Sequence, residues 1–133
     1  TNVRKRATTQ ITYVQTIIQR LVFKTTGLVD TLQQALGNQE AIEVAFLFGS
    51  AATGKLAAES DVDLLVIGDI GLRRLLSLLT GVSDRIGREI NPMVMSAHEF
   101  GKRVADGEHF IMAVLDGPKY FIVGNADDLN AMG

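Results

Sequence analysis

The spacing of apolar positions changes period several times along this chain. From Ile11, apolar residues recur at three- and four-residue steps: Ile11, Val14, Ile17 or Ile18, Leu21, Val22. That spacing predicts a helix. A second stretch of the same period, Leu28, Leu32 and Leu36, follows Gly27 and runs into the stop signal Gly37-Asn38. Residues 11 to 36 therefore predict one long helix, or two joined near Gly27. The β-branched pair Thr25-Thr26 favours a bend there. Ile42 to Phe48 is a nearly unbroken apolar run, the pattern of a strand buried on both faces. A polar, small-residue segment from Ala51 to Ser60 reads as a short helix or loop. It is followed by a second buried strand, Val62 to Ile67, which ends at Gly68.

Leu72, Leu75, Leu76, Leu79, Val82 and Ile86 then form the clearest amphipathic stripe of the chain, predicting a helix closed by Gly87. Its one face is expected to be core. Glu89 to Met95 predicts a third strand, and Pro92, which has no N–H to donate, marks it as an edge or a strand start. Ser96 and Glu99 have capping-box spacing, so a helix follows with Phe100 and Val104 inward. His109 to Leu115 predicts a short apolar helix, Asp116-Gly117-Pro118 a turn, and Lys119 to Val123 a fourth strand. Asp127 to Met132 predicts a terminal helical turn. Helices interleaved with short strands define an α/β (α+β) chain with a small mixed sheet and helices packed on it, plus an N-terminal helix.

Composition narrows the possibilities. With 133 residues and 47% apolar content the chain suffices for one domain with a real core. It contains no cysteine, which excludes a disulfide framework and a thiolate metal site. The two histidines, His98 and His109, are isolated: His98 is expected to be exposed and His109 a half-buried helix residue. No apolar run approaches the length of about 18 residues needed to span a bilayer, and cytoplasmic residence is the default expectation. The net charge of −2 conceals an asymmetry, with +5 in residues 1–29 and −7 in the remainder. A basic head on an acidic body suggests either an anionic partner for the head or a solvated helix face. The chain opens on Thr1 rather than Met, so a longer parent chain is expected.

The chemistry concentrates between the first two strands. Asp61 and Asp63 stand two apart at the head of the second strand, so they point to the same face. Two neighbouring carboxylates repel, and a cation between them relieves the repulsion. Oxygen-only ligands suit Mg²⁺ or Mn²⁺. Gly49-Ser50, closing the first strand, suits a phosphate: glycine lets backbone N–H groups approach, and serine adds a hydroxyl donor.

Gly49-Ser50, ten residues, then Asp61-x-Asp63 resembles the signature of the DNA polymerase beta-like nucleotidyltransferase superfamily, and most closely its minimal nucleotidyltransferases. The resemblance covers about residues 30 to 124 and divides the chain into an N-terminal basic segment and helix (1–29) and a nucleotidyltransferase domain (30–133). It implies that Gly49 and Ser50 bind the triphosphate of an NTP, in the first instance ATP, and that Asp61 and Asp63 ligate Mg²⁺ or Mn²⁺. The family uses a third acid on a later strand, and the position here that matches by strand pattern is Asn91. Glu89, two residues earlier and on the same face, is the expected third ligand. Lys55 and Arg88 are weaker phosphate-contact candidates. The implied reaction transfers a nucleoside monophosphate to a hydroxyl of a protein or small molecule. The shortness of the chain favours an acceptor supplied by a partner, as in antitoxins that modify a cognate toxin. The alternative is a catalytically weak nucleotide-binding module of an antitoxin or of a transcriptional regulator, with DNA bound through an upstream domain.

Overall fold

The structure, a computed structural model, describes residues 27–53 and 61–133. The readings for residues 1–26, including the N-terminal helix and basic head, and for Lys55 lie outside the described residues. Helix α1 (Leu28–Leu36) follows Gly27, whose left-handed backbone (φ 71°) suits a residue without Cβ. Strand β1 (Ile42–Phe48) leads into a single helical turn, α2 (Ser50–Thr53). Strand β2 (Val62–Gly68) is followed by α3 (Leu72–Ile86), which Gly87 ends at φ 68°. Strand β3 (Ile90–Met95), helices α4 (Ala97–Ala105) and α5 (His109–Asp116), strand β4 (Lys119–Val123) and helix α6 (Ala126–Met132) complete the order.

The strands form one mixed sheet in the order β3-β2-β1-β4. β1 runs antiparallel to both β2 and β4, while β3 is parallel to β2. A parallel pair needs a crossover, and α3 provides it. Pro92 lies on the outer strand β3, where a missing N–H is tolerated, and is paired in register with Leu64.

Helices cover both faces. On one, Leu28, Leu32 and Leu36 of α1 and Leu75, Leu79 and Val82 of α3 pack on Ala45, Leu47, Leu64 and Val66. On the other, Phe100 of α4, Ile111 and Val114 of α5 and Leu129 of α6 pack on Val44, Phe46, Leu65, Ile67 and Met95. This two-sided cover explains the weak alternation in β1 and β2: Val44 to Leu47 and Leu64 to Ile67 are all buried.

Three local expectations are corrected. The α3 stripe is core only in part: Leu75, Leu79 and Val82 are buried, but Leu72 and Leu76 are 50% and 45% exposed. A helix presents a narrower arc to a flat sheet than six leucine-type positions span, so the outer pair falls to solvent. His109 is exposed rather than half-buried, because Phe110 takes the inward place and meets Phe48 edge-on at 6.0 Å. At the start of α4, Ser96 Oγ accepts from the Glu99 N–H, but the Glu99 carboxylate takes the Arg103 guanidinium at 2.7 Å. The reciprocal box appears instead at α6, between Asn125 and Asp128. His98 is exposed as expected.

Candidate active site

The site grows from the one polar interruption in β2. Every residue of that strand is buried except Asp63, which is half-buried. Asp63 lies two residues before Leu65, so it shares the face covered by α4, α5 and α6, at the N-terminal end of β2. Asp61, two residues earlier again, is exposed at the same end. The same end of the sheet holds the last residue of β1, Phe48, and the turn beyond it.

Gly49 takes φ 66° in that turn, and its carbonyl accepts from the Ala52 N–H at 3.1 Å. A Cβ at Gly49 would stand 3.2 Å from Asp63 Oδ2. Two independent reasons therefore call for glycine: the left-handed backbone, and the close approach of a carboxylate oxygen. Ser50 is exposed and opens α2, where its carbonyl accepts from Thr53 Oγ1. The sequence-predicted Gly49-Ser50 and Asp61-x-Asp63 are thus brought to one end of the sheet, although ten residues separate them along the chain.

The parallel register pairs Asp63 with Asn91, and the Asn91 amide donates to Asp63 Oδ1 at 3.2 Å. Glu89 precedes β3 and is exposed, and its carbonyl accepts from the Val62 N–H at 2.9 Å. Extending the register by one residue sets Glu89 beside Asp61. Among the described residues, no group of three or more His, Asp or Glu side chains is gathered closely enough to hold a metal ion. The Asp63–Asn91 contact, with Asp61 exposed two residues before it, is what the described structure assembles.

One contact at this end escaped the sequence reading. Lys119 opens β4 opposite Phe48, and its ammonium donates to the carbonyls of Leu115 and Gly117. It ties the end of α5 to the edge of the sheet, and the i, i+4 spacing from Leu115 was the available signal. Arg88 is half-buried at the approach to β3.

A mixed four-stranded sheet with a glycine turn facing a strand-borne acid pair defines a small α/β domain of the nucleotidyltransferase type. Residues 30–105 match the family "Polymerase beta, Nucleotidyltransferase", and the chain belongs to it. It is 36% identical over 63 residues to a Methanocaldococcus jannaschii protein named "Putative protein adenylyltransferase MJ0604", a match covering 47% of this chain and 63% of the relative. The chain thus spans less than two thirds of that relative's length. Among solved structures, it shares its fold with a toxin-antitoxin crystallised with AMP-PNP (TM-score 0.53, 14% identity, 78% of this chain and 79% of the other). A variant of the toxin-antitoxin MntA-HpeT is similar (TM-score 0.51, 12% identity, 80% of this chain and 79% of the other). Among the described residues, no helix is long and apolar enough to cross a membrane.

Proposed function

We propose that the chain transfers a nucleoside monophosphate, in the first instance AMP, from an NTP to a hydroxyl group. The observation that carries this reading is the approach of Gly49 to Asp63, which sets a phosphate-compatible turn beside a carboxylate where the two central strands meet at one end of the sheet. Family membership and the adenylyltransferase name of the relative point to transfer chemistry rather than to a DNA-binding regulator. The AMP-PNP of the similar toxin-antitoxin supports a nucleotide ligand, and its two-protein assembly supports a protein partner.

The donor set fits a hard divalent cation. Asp61 and Asp63 offer only oxygen, and the missing Cβ of Gly49 leaves room beside Asp63 Oδ2. Asp61 and Asp63 would hold Mg²⁺ or Mn²⁺, and Glu89, exposed and beside Asp61 in the extended register, would join them as third carboxylate once the nucleotide is bound. The bound cation would neutralise phosphate charge and favour ionisation of the attacking hydroxyl. Gly49 and Ser50 bind the triphosphate through backbone N–H groups and the serine hydroxyl. Their task is positioning, which is most of what phosphoryl-group transfer asks of a protein. In the step itself the acceptor oxygen bonds to the α-phosphorus, the bond from that phosphorus to the bridging oxygen breaks, pyrophosphate leaves, and the hydroxyl proton passes to solvent.

Calorimetric titration with ATP, in Mg²⁺ or Mn²⁺ and again in EDTA, tests the reading. Cation-dependent binding by the parent, lost in Asp63→Asn and weakened in Glu89→Gln, is expected. A folded parent that binds no nucleotide under any of these conditions contradicts it.

A further inference from the structure

Asn91 holds the strand position next to Asp63 with a neutral side chain. A carboxylate can only accept, so the Asn91 group that meets Asp63 Oδ1 at 3.2 Å is its NH₂. Asp63 Oδ2 is on the other side of the carboxylate, 3.2 Å from where a Gly49 Cβ would be. One carboxylate oxygen is therefore occupied by the amide, and the other faces the glycine turn.

We infer that Asn91 is a positioning residue which holds Asp63 and keeps the charge of the site low, so that a divalent cation enters together with the nucleotide rather than alone. This rests on the nucleotidyltransferase reading above. The physical argument concerns ligand count. With Asp63 Oδ1 engaged and, among the described residues, no three acids gathered closely enough to hold an ion, the described side chains offer a free cation few anionic oxygens. Hard divalent cations want six or more oxygen ligands, and a triphosphate brings several of them with the charge that Asn91 lacks. An aspartate at 91 would reverse this. It would remove the hydrogen bond, set two carboxylates against each other across neighbouring strands, and create a site that calls for a cation before any nucleotide arrives.

The test is Mn²⁺ binding, followed by the electron spin resonance signal of the free ion, with and without ATP, on the parent, Asn91→Ala, Asn91→Ser and Asn91→Asp. Thermal unfolding of each is measured in EDTA and in Mn²⁺. The parent should bind Mn²⁺ with ATP far more tightly than Mn²⁺ alone. Asn91→Ala and Asn91→Ser should lose about tenfold to a hundredfold in affinity for Mn²⁺–ATP, the usual cost of removing a group that orients a metal ligand. Asn91→Asp should gain about tenfold for free Mn²⁺, because the number of charged oxygen ligands sets divalent-cation affinity. It should also unfold at lower temperature than the parent in EDTA and recover when Mn²⁺ is added, a response that a residue serving only the strand would not give. Failure of the parent to bind Mn²⁺–ATP overturns the nucleotidyltransferase reading and this inference with it. A binding parent matched by folded Asn91→Ala or Asn91→Ser overturns the inference alone, as does an Asn91→Asp variant whose stability ignores Mn²⁺.

Discussion

Two glycines mark opposite ends of the β1–β2 pair, and they are there for different reasons. At Gly68, an added Cβ would meet backbone: the Ala41 carbonyl, and Ile42 Cα at 2.9 Å. The chain there is pinned, with the Asp69 N–H donating to the Ala41 carbonyl at 2.8 Å. At Gly49, among the described residues, an added Cβ would meet no backbone, only a carboxylate oxygen of Asp63. Gly68 is buried and Gly49 exposed. One glycine closes the sheet, and the other keeps a carboxylate accessible. A glycine facing main chain serves packing, whereas a glycine facing an open carboxylate serves whatever that carboxylate binds.

This contrast predicts how substitutions separate stability from binding. The largest effect should come from the sheet's interior: Phe46→Ala, which removes a ring packed 5.4 Å from Phe121, should cost about 3–5 kcal/mol in urea unfolding. Gly68→Ala should follow with about 1–3 kcal/mol, because backbone cannot yield as a side chain can. Its folded fraction should still bind nucleotide. Gly49→Ala should cost about 1–2 kcal/mol for its left-handed backbone, yet lose nucleotide affinity out of proportion to that. A Gly49→Ala variant that binds as the parent does would break the comparison. Ser96→Ala, which removes the α4 cap far from the acids, should cost about 1 kcal/mol and leave binding unchanged. Smallest of all, Lys102→Ala removes an exposed ion pair with Asp106 and should shift stability by at most about 0.5 kcal/mol.

Most elements were legible in the sequence because their periods are strong. The runs Ile42 to Phe48 and Val62 to Ile67 read as buried strands, and of the two places Pro92 allowed for β3, an edge or a strand start, the sheet takes the edge. Gly49-Ser50 and Asp61-x-Asp63 were readable as one unit because the chemistry is local to two consecutive strands. What spacing could not supply was pairing. That Asn91 binds Asp63 follows from the parallel register of β2 and β3, which depends on how α3 returns the chain. The pairing of β4 with β1 is equally nonlocal, and it sets Lys119 beside Phe48. The exposure of Leu72 and Leu76 was hidden because periodicity shows which residues share a face, not how wide an arc the sheet covers.

The most direct measurement is an amide NMR map of Mg²⁺–ATP binding on the ¹⁵N-labelled protein. Nucleotide should move the resonances of Gly49, Ser50, Asp61, Asp63 and Asn91 and leave those of Gly68, Asp69 and Ala41 in place. Shifts confined to the Gly68 end, or none at saturating nucleotide, would contradict the assignment of the Gly49 end of the sheet as the nucleotide site.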